Sequence, residues 1–238
     1  MSFLNTTKHY IRDLFKYPRY NEHSVDYAAY WQSRGVVRLN AFQRARALFL
    51  CGVIGQSSSV LDVGCGTGAM LAFLKEHGKT GELRGVDIAE SALEAARRNG
   101  IDVIKGNIAD PDALPAIDMH DYVTFFEVLE HMPHAEKLLE WGMAHARKAV
   151  VFSVPNTGFF AHRLRLLLGR FPLQWRAHPS EHVRFWTLRD MRWWLDAIGY
   201  QHAQVIGYVG VPVLYKLWPS LFAAGLMVVV PKNTDHAY

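Results

Sequence analysis

The order of apolar and polar positions along the chain predicts strands and helices in regular alternation. Short apolar runs such as SSSVLDVG (57–64) are followed by stretches with apolar residues three and four positions apart, such as TGAMLAFLKEHG (67–78). The predicted strands occupy 57–64, 83–88, 102–107, 121–128, 148–155, 201–208 and 225–232. The predicted helices between them occupy 67–78, 89–100, 133–147 and 187–199. This alternation is typical of an α/β fold.

The predicted strands are mostly continuous apolar runs, which is the pattern of a parallel sheet covered by helices on both faces. Parallel strands joined through helices form right-handed crossovers, so we expect a doubly wound sheet of seven strands. The apolar region 205–231 is interrupted by Pro212, Lys216 and Pro219. We therefore interpret it as a pair of buried strands and not as a membrane span.

Composition narrows the class of protein without indicating a function. Half of the 238 residues are hydrophobic and about one in five is charged, as in ordinary single-domain enzymes. Two cysteines, Cys51 and Cys65, cannot build a disulfide-rich fold, and charges interrupt the first twenty residues, where a signal peptide would be apolar. We therefore expect a cytoplasmic protein. The net charge of +4 permits an anionic partner without requiring one.

Three glycines stand at alternate positions in VLDVGCGTGAM (60–70), at the first predicted strand-to-helix turn: Gly64, Gly66 and Gly68. Glycine allows unusual backbone dihedrals and close approach of a ligand. The N-terminus of the following helix adds unpaired N–H groups. Ligands of open parallel sheets bind beyond the carboxyl ends of the strands, so we expect a cofactor at this turn.

The same stretch satisfies the dinucleotide pattern G-x-G-x-x-G/A, with Asp87 about twenty residues further on. Asp62 argues against a dinucleotide, because a carboxylate two residues before the first glycine suits an ammonium group and not a pyrophosphate. The predicted strand pair at the end of the chain also does not make a second nucleotide-binding half.

A family resemblance supports a different cofactor. VLDVGCGTG (60–68) resembles motif I of the class I S-adenosylmethionine-dependent methyltransferases, and GVDIAESALEAARRNG (85–100) is similar to their second strand and helix. Three further segments are similar to their later motifs: GNIAD (106–110), YVTFFEVLEHM (122–132) and LFAAGLMVVVPK (221–232). The resemblance implies a Rossmann-like sheet, mostly parallel with an antiparallel last strand, together with N-terminal helices and an inserted helical cap.

The resemblance also implies roles for individual residues toward S-adenosylmethionine. Asp87 would accept both ribose hydroxyls, which suits a carboxylate because it is acceptor-only. The groups that would face the methionine portion are Asp62 and the backbone of Gly64, Gly66 and Gly68. The residues that would surround the adenine are Ile88, Asn107 and Ile108.

We predict one methyltransferase domain over residues 1–238. Its parts are an N-terminal helical segment (1–57), a cofactor-binding half (58–155), a cap insert (156–187) and a C-terminal helix with a strand pair (188–238). The N-terminal segment contains three aromatic residues that either form a gate over the cofactor or pack in the core: Tyr27, Tyr30 and Trp31.

The segment FFEVLEHMPH (125–134) carries the candidate chemistry. Glu127, Glu130 and His131 have the spacing i, i+3 and i+4, so one helical turn would bring them onto one face. Two carboxylates and an imidazole suit a divalent cation. A further ligand has to come from another segment, and His182 in SEHVRFWT (180–187) is the candidate.

This Glu-x-x-Glu-His element with the downstream His182 resembles the metal-dependent 2′-O-methyltransferases of small-RNA 3′ ends, and the ubiquinone-pathway O-methyltransferases share the element. The resemblance implies that a metal ligated by Glu127, Glu130, His131 and His182 chelates vicinal hydroxyls, with His131, His182 and Glu130 in catalytic roles. In the metal-free alternative, Glu127 lines the cofactor pocket and His131 acts as a base or orients the loop.

The insert from Gly158 to Arg176 is apolar and basic. It is interpreted as a lid that grips an anionic acceptor, as a basic amphipathic helix on a membrane or polyanion, or as a helix packed on the sheet edge. NTGFFAHRLRLLLGRFPL (156–173) also resembles MetW-type proteins of methionine biosynthesis.

The expected function is O-methylation of a hydroxyl on a small-molecule or sugar acceptor, with S-adenosylmethionine and optionally a divalent metal ion. One alternative is an RNA ribose 2′-O-methyltransferase, although the basic residues are dispersed along the chain and not clustered. A second alternative is a MetW-like non-catalytic partner protein.

Overall fold

The computed structural model describes residues 14–17, 39–110, 114, 116–174 and 181–232. Within these ranges one mixed sheet contains β1 (Val60–Val63), β2 (Leu83–Asp87), β3 (Asp102–Lys105), β4 (His120–Phe126), β5 (Ala146–Pro155), β6 (Gln204–Gly210) and β7 (Ala223–Pro231). The helices are α1 (Ala41–Val53), α2 (Ala69–Glu76), α3 (Glu90–Arg98), α4 (Ala135–His145), α5 (Phe160–Leu167), α6 (Leu188–Ala197), α7 (Leu214–Leu217) and α8 (Pro219–Phe222). None of the helices in these ranges is long and apolar enough to cross a membrane.

The strand order confirms the predicted doubly wound sheet. The strands follow one another as β3-β2-β1-β4-β5-β7-β6, and β7 runs antiparallel to both of its neighbours while the remaining pairs are parallel. The chain first runs outward from β1 through β2 to β3 and then returns to β4 on the other side of β1. This reversal opens a crevice at the carboxyl ends of β1 and β4.

Burial explains why the central strands are continuous apolar runs. All four residues of β1 are buried, and β5 is buried from Ala149 to Val154. One face of the sheet packs Phe125 and Phe152 against α4 and α6, while the other face packs Leu50 of α1 and Leu71 of α2. Helices therefore cover both faces, as expected for a mostly parallel sheet.

Several element boundaries follow from local capping chemistry. Asn40 and Thr187 each begin a helix with a reciprocal capping box, to Gln43 and Asp190 respectively. The helix predicted over 133–147 is shorter, since α4 begins at Ala135 and ends where β5 begins directly. Pro133 therefore precedes the helix and does not occupy its first turn, which corrects the predicted start.

The cap insert contains α5, and two of its arginines donate hydrogen bonds to backbone carbonyls. The buried Arg165 donates to the carbonyls of Leu14 at 2.9 Å, Lys16 at 3.0 Å and Phe171 at 2.9 Å. Arg163 donates from Nε to the Gly158 carbonyl at 2.6 Å. These arginines therefore join α5 to residues 14–16 and to backbone within the insert. Apolar contacts of Phe159 and Ala161 with Val211 pack the insert beside the sheet. Four residues of the earlier predictions lie outside the described ranges: Tyr27, Tyr30, Trp31 and Arg176.

Candidate functional site

A cleft of about 470 Å³ lies at the carboxyl edge of the sheet, where the strand order reverses. The loops after β1, β2, β3 and β4 form its walls, α1 contributes one side and the segment 181–182 contributes another. Its lining includes these predicted site residues: Asp62, Gly64, Gly66, Asp87, Ile88, Asn107, Ile108, Glu127, Glu130, His131 and His182. The fold thus brings residues from five distant segments around one cavity.

The glycine turn has the backbone conformation that its residues predict. Gly64, Gly66 and Gly68 have φ angles of +79°, +54° and +69°, in the left-handed region that side chains disfavour. A Cβ atom on Gly64 would also lie 2.6 Å from Cγ2 of Val128. Gly64 is therefore required by packing within the protein as well as by the curvature of the turn.

Asp62 is a buried carboxylate at the base of the cleft. Its Oδ1 accepts a hydrogen bond of 2.7 Å from the Thr124 hydroxyl. Burial raises the pKa of Asp62 to about 7, and the negative charge of Asp87 adds to this increase while Thr124 and Arg46 oppose it. The arrangement favours a cationic ligand group next to Asp62, because a positive charge would restore its ionised form.

Asp87 ends β2 and holds the glycine turn against the start of α3. Its two carboxylate oxygens accept hydrogen bonds from the backbone N–H of Gly66 at 2.8 Å and of Ala89 at 2.9 Å. Burial raises the pKa of Asp87, and these N–H donors oppose that increase. Each oxygen keeps lone-pair capacity for a further donor from a ligand.

The next two loops form the wall beside Asp87. Ile88 is exposed for an apolar residue, and its side chain faces the cleft. Asn107 Oδ1 accepts from the backbone N–H of Ala109 at 3.1 Å, an Asx turn that shapes the loop after β3. Ile108 lies in the same loop and lines the cavity.

Arg46 on α1 also lines the cleft, although no motif in the sequence indicated it. Its Nη1 lies 3.2 Å from Oε1 of Glu127 and donates to the Ser153 hydroxyl at 3.3 Å. Its buried Nε has no hydrogen-bond partner among the described residues. Helical spacing could have indicated Arg46, because Leu50 lies one turn further along the same buried face.

Glu127 departs from the predicted helical turn. It adopts a left-handed backbone with φ of +57°, and the helical turn, of the 3₁₀ type, starts only at Leu129. Its Oε1 accepts from the Ser153 hydroxyl at 2.8 Å and lies 3.4 Å from the Tyr208 hydroxyl. The side chain is thereby turned toward Arg46, away from the face that Glu130 and His131 share.

Glu130, His131 and His182 do come together. One potential ligand atom from each lies within 4.8 Å of the others, and Glu130 Oε1 lies 3.9 Å from His131 Nε2. Glu130 is buried, and neither of its carboxylate oxygens has a hydrogen-bond partner among the described residues. Burial, and then the charge of Glu127, raise its pKa well above the ordinary value.

The tertiary contacts of one loop bring His182 to this position. The backbone N–H groups of Val183 and Arg184 both donate to the Glu130 carbonyl, at 2.9 and 3.1 Å. The His131 ring is held through Nδ1 at the Glu181 carbonyl, and its ring centroid lies 4.7 Å from that of His182. Burial, with a smaller effect of His131, lowers the pKa of His182 to about 4.

Comparisons with known proteins agree with this architecture. A family model described as a methyltransferase domain matches residues 33–205, more than half of the chain. The bifunctional methionine biosynthesis protein MetXA/MetW of Rhodopirellula baltica is 31% identical over 157 residues, which cover 59% of this chain and 24% of that protein. The mitochondrial ubiquinone biosynthesis O-methyltransferase of Candida albicans is 26% identical over 126 residues, covering 50% and 38%. The matches therefore span less than half the length of either relative.

A solved structure has a similar fold over most of the chain. The SAM-dependent methyltransferase from Archaeoglobus fulgidus superposes with a TM-score of 0.62 at 18% identity, covering 87% of this chain and 100% of that one. The strand order, the glycine turn and the cleft at the switch point agree with the family match over residues 33–205. The chain therefore belongs to the methyltransferase-domain family.

Proposed function

We propose that the protein methylates a hydroxyl oxygen on a small molecule or sugar, with a divalent metal ion held beside the acceptor. The observation that carries this proposal is the group Glu130, His131 and His182, which lines the same cleft as the glycine turn. The O-methyltransferase from Candida albicans, 26% identical over half of the chain, supports an oxygen acceptor.

The charges at the base of the cleft match the amino-acid end of S-adenosylmethionine. Asp62 would receive the ammonium group. The Nε of Arg46, which has no hydrogen-bond partner in the described part of the chain, would donate to the carboxylate. The backbone of Gly64 and Gly66 lines the cleft and would border the methionine chain. Gly68 lies one step further, where a Cβ atom would meet Ala96 and Ile101.

The adjacent wall suits the nucleoside. Asp87 has acceptor capacity left for the two ribose hydroxyls after binding two backbone N–H groups. Ile88 presents an apolar surface for one face of adenine, and Asn107 and Ile108 would border the edge of the base. These assignments place the reactive methyl group toward the Glu130–His131 side of the cleft.

The three residues of the proposed metal site have the chemistry that a divalent cation needs. A cation would satisfy the two oxygens of Glu130, for which the described segments supply no hydrogen-bond donor. The hydrogen bond from His131 Nδ1 to a carbonyl leaves the lone pair on Nε2, which faces Glu130. When bound, a divalent ion would lower the pKa of an acceptor hydroxyl and fix its direction. Without metal, the same Nε2 lone pair could take the hydroxyl proton.

The remaining task of the protein is alignment. Methyl transfer from a sulfonium is an in-line displacement, so the cofactor supplies the reactivity and the chain supplies position. Glu127, paired with Arg46, would hold α1 and the end of β4 in register beside the cofactor. Because Glu127 is paired with Arg46, we do not propose it as a metal ligand.

Metal analysis tests the proposed site directly. Purified wild-type protein, equilibrated with Mn²⁺ and desalted, should retain about one equivalent, whereas Glu130→Gln and His182→Ala should retain little. His202→Ala, in which an exposed histidine outside the cleft is removed, should retain as much as the wild type. Equal metal content in all four proteins would refute the metal site while leaving the cofactor site unaffected.

Transfer of a radiolabelled methyl group tests the acceptor class. Catechol-type acceptors with neighbouring hydroxyls should be methylated faster than matched single-hydroxyl compounds, and EDTA should suppress the difference. Asp87→Ala should lose most affinity for S-adenosylhomocysteine by calorimetry, whereas Asp110→Ala should lose little. Methylation of an RNA 3′-terminal ribose in place of every small acceptor would overturn the small-molecule part of the proposal.

A further inference from the structure

Helices α5, α7 and α8 form a layer beyond the carboxyl ends of β5 and β6. The rings of Phe160 and Phe222 lie 5.9 Å apart, and Arg163 Nη2 donates to the Ser220 carbonyl at 3.1 Å. A small apolar cluster that includes Phe159 and Val211 lies beneath them. The residues on the outside of this layer, which we call the α5–α8 face, are Arg163, Leu167, Val213, Lys216, Leu217 and Trp218.

The α5–α8 face exposes large apolar side chains. Leu167 is 81% exposed, Leu217 76%, Val213 67% and Trp218 59%. The Trp218 ring lies 6.2 Å from that of Phe222, which in turn contacts Phe160, so the exposed residues of α7 are continuous with α5. Single exposed apolar residues are ordinary, but four on one layer indicate a binding surface.

The backbone at Val213 supports this interpretation. Val213 has φ of +66°, a conformation that is a genuine outlier for a β-branched residue. Val213 is the centre of a tight turn that the Leu214 N–H closes by donating to the Pro212 carbonyl at 2.8 Å. This turn presents the Val213 side chain to solvent.

The charge of the two segments is one-sided. Residues 156–180 and 197–234 contain no aspartate or glutamate, while the exposed Arg163 and Lys216 lie beside the apolar residues. A second copy of the same face would bring these positive charges against each other. A soluble polyanion would leave the exposed leucines and Trp218 without a role. The combination of basic and apolar side chains matches an anionic lipid surface.

We infer that the α5–α8 face binds peripherally to anionic lipid bilayers. Leu167, Val213, Leu217 and Trp218 enter the boundary between headgroups and acyl chains, and Lys216 and Arg163 contact the phosphates. The face lies at the same edge of the sheet as the cofactor cleft. Binding at this face does not depend on the proposed acceptor or metal.

Vesicle co-sedimentation of the full chain tests the inference. The wild type should sediment with phosphatidylcholine vesicles that contain phosphatidylglycerol and only weakly with phosphatidylcholine alone, and salt should weaken binding. Leu167→Glu and Leu217→Glu should each lower the partition coefficient about tenfold or more, since each removes a leucine that the bilayer would bury. Met119→Glu changes an exposed apolar residue at the opposite edge of the sheet and should bind like the wild type.

Three results would overturn the inference. The first is a wild-type protein that stays in the supernatant with anionic vesicles. The second is a folded Leu217→Glu variant, checked by circular dichroism, that sediments as well as the Met119→Glu control. The third is a dimer, seen by light scattering, that Leu217→Glu dissociates, because the face would then join two copies of the chain.

Discussion

At the residue scale, the site is distinguished by buried ionisable groups. Asp62, Asp87, Glu130 and Arg46 are all buried at one edge of the sheet. Burial of a charge is costly unless it is paired or bound to a ligand. Among the described residues, Arg46 has a close partner of fixed opposite charge, Glu127, whereas Glu130 has only the His131 ring at 3.9 Å. Substitutions at these positions should therefore change the free energy of unfolding of the unliganded protein more than substitutions of surface charges do.

Replacement of Arg46 by methionine should lower the free energy of unfolding by about 2 kcal/mol, because Glu127 loses its partner but stays partly solvated. Chemical denaturation measures this change. The double variant Arg46→Met/Glu127→Gln should recover part of the loss, whereas Arg44→Met, at an exposed position of the same helix, should change stability little. An additive double variant would show that the pair is not coupled.

Asp62 should make the stability of the unliganded protein depend on pH. The pKa of Asp62 is raised from 3.8 to about 7 in the folded state, so its contribution is complete below pH 4 and is lost as pH rises through 7. The loss amounts to roughly 4 kcal/mol by pH 8. Urea denaturation of wild type and Asp62→Asn between pH 5 and 8 should show a flatter curve for the variant. Asp196→Asn, an exposed control, should follow the wild type.

At the scale of elements, two turns determine the geometry of the cleft. The glycine turn between β1 and α2 places backbone at its inner surface, and the turn after β4 separates Glu127 from Glu130 and His131. The two turns contact each other directly, because Val128 packs against Gly64. A change in one turn should therefore displace the other.

Gly64→Ala should lower the free energy of unfolding by about 1–3 kcal/mol, because it combines a left-handed φ with a Cβ position 2.6 Å from Val128. Gly52→Ala is the matched control, since a Cβ atom there, in the last turn of α1, meets nothing within 4 Å. That change should be neutral or stabilising by up to about 1 kcal/mol. Thermal unfolding of both variants checks the contrast, and equal effects would contradict it.

At the scale of the whole molecule, long-range hydrogen bonds join the insert to segments far away in the chain. Arg165 on α5 connects to Leu14 and Lys16, about 150 positions earlier. Arg184 connects the loop that carries His182 to Glu136 on α4, at 2.9 Å. These contacts join α5 to residues 14–16 and the loop that carries His182 to α4.

Arg165→Leu should lower the free energy of unfolding by about 2–3 kcal/mol, because three carbonyls lose a buried donor. Limited proteolysis should also cut sooner near residues 14–17. Arg98→Leu, on the exposed end of α3, should leave both measurements close to those of the wild type. Unchanged proteolysis at residues 14–17 would show that Arg165 does not hold the N-terminal segment.

Much of the architecture could be predicted from the sequence because its determinants are local. Apolar runs and helical periodicity predicted the seven strands and the helices α2, α3 and α6 to within a few residues. The glycines and Asp87 follow from dihedral preference and hydrogen-bond chemistry within one βαβ unit, so Gly64 and Asp87 lie where the motif predicts. Capping and proline rules were less reliable at boundaries, as the start of α4 at Ala135 shows.

Only the tertiary structure decided which of the predicted metal ligands come together. Spacing alone grouped Glu127 with Glu130 and His131, but the attraction of Arg46 and the hydroxyls of Ser153 and Tyr208 turned Glu127 away. His182 came beside Glu130 because the backbone of the next two residues bonds to the Glu130 carbonyl. Pairings between segments 50 to 100 residues apart leave no periodic pattern in a sequence, since they depend on which helices and strands become neighbours after folding.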